Sequence, residues 1–128
     1  MTGVSHSSER RRSVRLRPLP DLPIEVWLKA EGVGPIALAV IDVSVGGLAI
    51  SGTPSLTHLK PDTRHTLLIK LPTMGPKATA PFEVVVDVRH RSSDITGTIG
   101  LMYVNMSGAM VSALGRYVAE LLERGALS

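Results

Sequence analysis

The chain has 128 residues, of which 44% are hydrophobic but only 3% aromatic, with a net charge of +3 and no cysteine. That length suits one domain with an aliphatic core, and the lack of cysteine excludes a disulfide framework and a thiolate metal site. The N-terminus lacks an apolar leader and no apolar run is long enough to span a bilayer, so the expected location is the cytoplasm.

Residues 1–8 are small and polar and read as a disordered N-terminus. Next comes Glu9-Arg10-Arg11-Arg12-Ser13-Val14-Arg15-Leu16-Arg17, which holds five of the ten arginines. Without these five, nine basic residues face eleven acidic ones, so the body is slightly acidic and the positive charge is one local cluster. Arginine offers a planar fork that pairs two-point with phosphate or a guanine edge, which lysine cannot do. Pro18, Pro20 and Pro23 oppose a helix and favour an extended segment. Residues 9–21 therefore read as an arginine-rich arm, tethered to a domain over residues 22–128.

Residues 22–29 alternate, with Leu22, Ile24, Val26 and Leu28 on one face, as in a strand with one buried side. Trp27 falls on the polar face. Residues 36–41 are apolar on both faces and read as a central strand. After an interruption at residues 42–47, residues 48–50 resume a strand. Residues 65–71, 82–89 and 95–104 give three more. Gly47 and Gly100 are expected to let their strands bend. The period then changes. Ser107 is a plausible helix N-cap, and Met110, Leu114, Tyr117, Val118, Leu121 and Leu122 share one helical face. Glu120 and Arg124 form an i,i+4 pair, and Gly125 suits the stop. Six strands and one terminal helix predict an all-β fold with a C-terminal helix, a six-stranded antiparallel β-barrel.

Asp42-x-Ser44-x-x-Gly47 has two readings. As a turn, Asp42 bonds backbone amides, Ser44 caps them and Gly47 takes positive φ. As a site, the carboxylate and hydroxyl accept the N–H donors of a guanine Watson–Crick edge, and the glycine lets the ligand come close. The arginines would read O6, N7 and phosphate. Other candidates are weaker. His6, His58, His65 and His90 lack metal-ligand spacing. Ser44 lacks a neighbouring His and a nucleophile-elbow context, which argues against catalysis. Arg89-His90-Arg91 ends a strand, where it either widens the basic surface or, the favoured reading, is a solvated strand end.

Arg10-Arg11-x-x-x-Arg15 followed by Asp42-x-Ser44-x-x-Gly47 resembles the PilZ domain family, whose pattern is an RxxxR arm and a D/N-x-S-x-x-G turn on a six-stranded barrel. The ending Ile99-Gly100-Leu101-Met102-Tyr103-Val104, followed by a helix, is similar too, with Tyr103 where Phe is more usual, expected to be a packing difference only. The resemblance implies a noncatalytic receptor for the bacterial second messenger cyclic di-GMP, without cofactor or metal. It implies that Arg11 and Arg15 grip guanine and phosphate, that Asp42, Ser44 and Gly47 hold the other guanine edge, and that Arg10 joins them. Arginine at position 10 goes with a stacked pair of ligands, so two molecules per chain are expected. The arm would fold over the ligand and change a surface offered to an unidentified effector protein. Two alternatives are an interaction module of this fold that binds no nucleotide and a nucleic-acid binder acting through the basic arm. The acidic body and the scarcity of stacking aromatics argue against the second.

Overall fold

The computed structural model describes residues 14–72, 81–94 and 97–128. Its elements are β1 (Glu25–Leu28), β2 (Ile36–Leu38), β3 (Val40–Val43), β4 (Gly47–Ser51), β5 (Arg64–Lys70), β6 (Phe82–Arg91), β7 (Thr98–Asn105) and helix α1 (Gly108–Glu123), with one 3-10 turn at Pro54–Leu56. All the strand pairs are antiparallel, in the order β2-β1-β5-β6-β7-β4-β3.

The two end strands, β2 and β3, follow one another in the chain with only Ala39 between them. The first half of this bent segment pairs with β1 and the second with β4, so the sheet curls into a nearly closed barrel. The expectation of an all-β fold with a terminal helix holds. The expected six strands become seven because residues 36–41 do not run as one strand. The chain turns at Ala39, whose carbonyl accepts the Ser51 N–H at 2.9 Å, and the register slips between Val40 and Asp42.

Alternation explains the interior. Val84, Val86 and Val88 of β6 meet Leu67 and Ile69 of β5 and Ile99 and Leu101 of β7 in one aliphatic core. Helix α1 adds Met110, Leu114, Tyr117 and Leu121 to it, and the Tyr117 hydroxyl donates to the Leu22 carbonyl at 2.8 Å. Leu122, expected on the same face, is 51% exposed. Ser107 caps the helix as expected, its hydroxyl accepting the Met110 N–H at 3.1 Å. At the other end Gly125 takes φ +70°, and the N–H groups of Gly125 and Ala126 close onto the carbonyls of Leu122 and Leu121. This Schellman closure turns residues 126–128 back along the body. Among the described residues no helix is long and apolar enough to cross a membrane.

Candidate ligand-binding site

The β3–β4 hairpin builds one side of the site. Its turn is held by Ser44: the backbone N–H donates to the Gly47 carbonyl at 2.9 Å, and the hydroxyl donates to the same oxygen at 3.2 Å. That hydroxyl also accepts the N–H groups of Gly46 and Gly47 at 3.3 and 3.2 Å. The turn reading is thus right for Ser44 and needs correction for its neighbours. Asp42 accepts no turn amide among the described residues; its carboxylate takes Arg15 Nη1 at 3.1 Å. Gly47 is not in a positive-φ conformation. A Cβ there would fall 2.0 Å from the Leu101 carbonyl oxygen, so glycine is what lets β7 approach.

Arg15 is placed from both sides. Leu16, fully buried, exchanges backbone bonds with Val43 of β3 at 3.0 and 2.8 Å. On the opposite edge, Arg17 N–H donates to Ala126 O at 2.7 Å and Ser128 N–H to Arg15 O at 3.0 Å. The root of the arginine arm is therefore a strand-like segment between β3 and the C-terminal residues, with Leu16 in the core. This presents the half-exposed Arg15 guanidinium to the nearly buried Asp42.

Beside this pair opens a cavity of about 240 Å³ lined by Arg15, Ser44, Gly46, Gly47, Arg89 and Gly100, among others. The three glycines remove side chains from its walls, and the two arginines make it a place for an anion. Arg89 is the residue that the sequence reading did not count among the site residues. Its segment does end β6 with Arg89 and His90 exposed, but Arg89 also lines the cavity, and Arg91 Nη1 donates to the carbonyls of Leu56 and Leu59 at 2.5 and 3.0 Å. The signal available was the loss of alternation in Arg89-His90-Arg91, which marks a bulge at the end of β6. Arg15, Asp42, Ser44 and Gly47 are brought together as expected, whereas Arg10 and Arg11 lie outside the described residues. A wider depression of about 620 Å³ at Lys29, Arg64 and His65 is a poorer anion site. Its cations are committed, Lys29 to Glu83 and Arg64 to Asp87.

Known structures share this fold. The Bacillus subtilis inhibitor of motility (MotI/DgrA) matches at a TM-score of 0.66 and 20% identity, over 90% of this chain and 52% of that one. The PilZ domain of YcgR from Escherichia coli, solved with c-di-GMP, matches at 0.61 and 19% identity, over 91% of this chain and 94% of that one. MrkH, a c-di-GMP-dependent transcription regulatory factor, matches at 0.67 and 13% identity, over 89% and 52%. This chain spans about half the length of the first and third. No curated protein matches it in sequence. The sequence matches the PilZ domain pattern over residues 9–120, which takes in the arginine arm, the Asp42 turn, the barrel and most of α1, and the chain belongs to the PilZ domain family.

Proposed function

We propose that this chain is a noncatalytic receptor for cyclic di-GMP, acting in the cytoplasm. The observation that carries the reading is the Arg15–Asp42 pair at the rim of a glycine-walled cavity whose other cation is Arg89. A guanidinium has five N–H donors and a carboxylate about four acceptor positions, so one bond between them leaves both with capacity for ligand. Arg15, with Arg10 and Arg11 of the arm, grips guanine and phosphate. Asp42 accepts from the guanine Watson–Crick edge. Ser44 and Gly47 hold the turn that presents it. The Ser44 hydroxyl already donates once and accepts twice, which suits a structural role better than a nucleophile. The PilZ domain of YcgR, solved with c-di-GMP, supports the identity of the ligand.

Two ligands bind per chain as a stacked pair. Such a pair concentrates four phosphates, and Arg10, Arg11, Arg15 and Arg89 supply more cationic forks than a single molecule needs. Signalling follows when the part of the arm ahead of Val14 folds over the ligand, since Leu16 is already in the core. The cost in chain entropy is offset by charge-assisted contacts, and the new surface is offered to an effector protein. Titration calorimetry with cyclic di-GMP, with GTP as control, tests the proposal. Saturable binding of the cyclic dinucleotide and none of GTP is expected; no binding, or equal binding of both, overturns it.

A further inference from the structure

His90 comes to lie against Gly100, a wall of the cavity, through a fault in strand pairing. Between β6 and β7, Val88 pairs with Leu101 and the next pair is His90 with Gly100, so Arg89 is the extra residue of a bulge. Bulges re-aim side chains beside functional sites. Here Arg89 and His90 are both exposed, and Arg89 lines the cavity.

The position of the imidazole is set by Gly100. A Cβ built on Gly100 would lie 2.3 Å from Cε1, 2.6 Å from Nδ1 and 3.0 Å from Nε2 of His90. The ring therefore occupies the space above Gly100 that any other residue would fill with its own side chain. Gly100 is itself a wall of the cavity. The cross-strand row runs from His90 to Gly100, then to Ala49, then to Asp42. One end of that row is a flat ring and the other is the Arg15–Asp42 pair. Among the described residues the remaining rings are elsewhere: Tyr103 and Tyr117 are in the core, Trp27 is on β1, Phe82 begins β6, and the imidazoles of His58 and His65 pack against each other.

We propose that His90 is a base-stacking residue of this site, its imidazole forming a face on which a purine of the ligand lies while Arg15 and Arg89 meet phosphate. The proposal rests on the receptor reading above and adds the residue that contacts the face of the base rather than its edge. Every purine has a π-face, so an exposed ring lying against Gly100 needs no further hydrogen bond to contribute.

The test is calorimetry with cyclic di-GMP at pH 8 on wild type, His90→Ala and His90→Phe. His90 is exposed, so both variants should fold. Loss of the ring should weaken binding about tenfold, and the phenyl ring should hold affinity to within about threefold of wild type. In parallel, the Hε1 proton resonance of His90 should move upfield as ligand is added. His90→Ala with wild-type affinity overturns the proposal, as does a His90→Phe variant as weak as His90→Ala, which would assign the contact to the ring nitrogens. Those outcomes leave the receptor reading standing. Absence of binding by the wild type overturns both.

Discussion

Arg15 Nη1 lies 3.1 Å from Asp42 Oδ1, which joins the arm to the turn across 27 positions of sequence. Asp42 is 11% exposed at its side chain and Arg15 54%, so the carboxylate depends on the pair more than the guanidinium does. Arg15→Ala should weaken cyclic di-GMP binding about tenfold or more, as expected for a lost charge-assisted contact. It should also lower stability by about 1 kcal/mol, the low end for an orphaned buried acceptor, because half of Arg15 is in water. Asp42→Ala should weaken binding as well, without a further stability loss once Arg15 is gone. A double-mutant cycle by urea unfolding checks this; strictly additive losses would mean the two residues are not coupled.

The number of bound ligands should depend on Arg10. Arg10→Leu removes one cationic fork and should lower the calorimetric stoichiometry from two towards one, with affinity retained through Arg11 and Arg15. Binding should weaken with salt, since exposed charges farther apart than the Debye length of about 10 Å at 0.1 M are screened. Native mass spectrometry gives the count independently. One ligand on the wild type at saturation would make Arg10 a bystander.

Gly47 should tolerate no side chain. The atom that a Cβ would meet at 2.0 Å is a backbone carbonyl, which cannot swing aside as a flexible side chain could. Gly47→Ala must then separate β4 from β7 locally, at a cost of about 3 kcal/mol, the upper end for overpacking. Thermal unfolding reads this directly. A near-neutral result would show that the two strands can part cheaply.

Tyr103 should be better as phenylalanine. Its hydroxyl is buried with no hydrogen-bond partner among the described residues, and burial pushes the phenol pKa upward. A buried unsatisfied donor costs about 1–3 kcal/mol, so Tyr103→Phe should be neutral to stabilising by about 1 kcal/mol. A destabilised variant would mean the hydroxyl has found a partner in solution.

His65 should make stability fall in mild acid. Burial first, and the charge of His58 second, hold its pKa below the ordinary 6.5. The two rings meet edge to face with centroids 5.7 Å apart, and Thr63 Oγ1 lies 2.8 Å from His65 Nε2. A histidine whose folded pKa is depressed binds more protons unfolded than folded. Its contribution is therefore complete above about pH 6.5 and is lost as pH falls towards the folded value. The melting temperature of His65→Gln should change less than that of wild type between pH 7 and pH 5.

Where one face of an element is buried and the other is wet, the sequence was readable. Val84, Val86 and Val88 alternate with Glu83, Val85 and Asp87, and β6 lies where that pattern places it. Ser107 and Gly125 bound α1 through local chemistry that needs no tertiary partner. The bend at Ala39 was not readable, because neither glycine nor proline marks it and the turn follows from pairing with two different strands. The bulge at Arg89 likewise depends on β7. Leu16 was hidden by its arginine neighbours, although Val14-Arg15-Leu16-Arg17 alternates and only Leu16 of the four enters the core. At the site, Asp42, Ser44 and Gly47 were recognisable as a set. That Asp42 would face Arg15 rather than its own turn required the contact between segments distant in sequence.

The Leu16–Val43 bonds have a consequence for any shortened version of this chain. They occupy the outer side of β3, and the C-terminal residues in turn occupy the outer side of the Leu16 segment. Cutting the chain beyond Leu16 would bare the Val43 amide and carbonyl together with an apolar slot, a combination that templates edge-to-edge pairing between molecules. Such a truncation should elute as soluble aggregate on size exclusion, while the full chain does not. A version that begins at Val14 should elute without such aggregate, so the onset of self-association marks the residue at which the barrel loses its border.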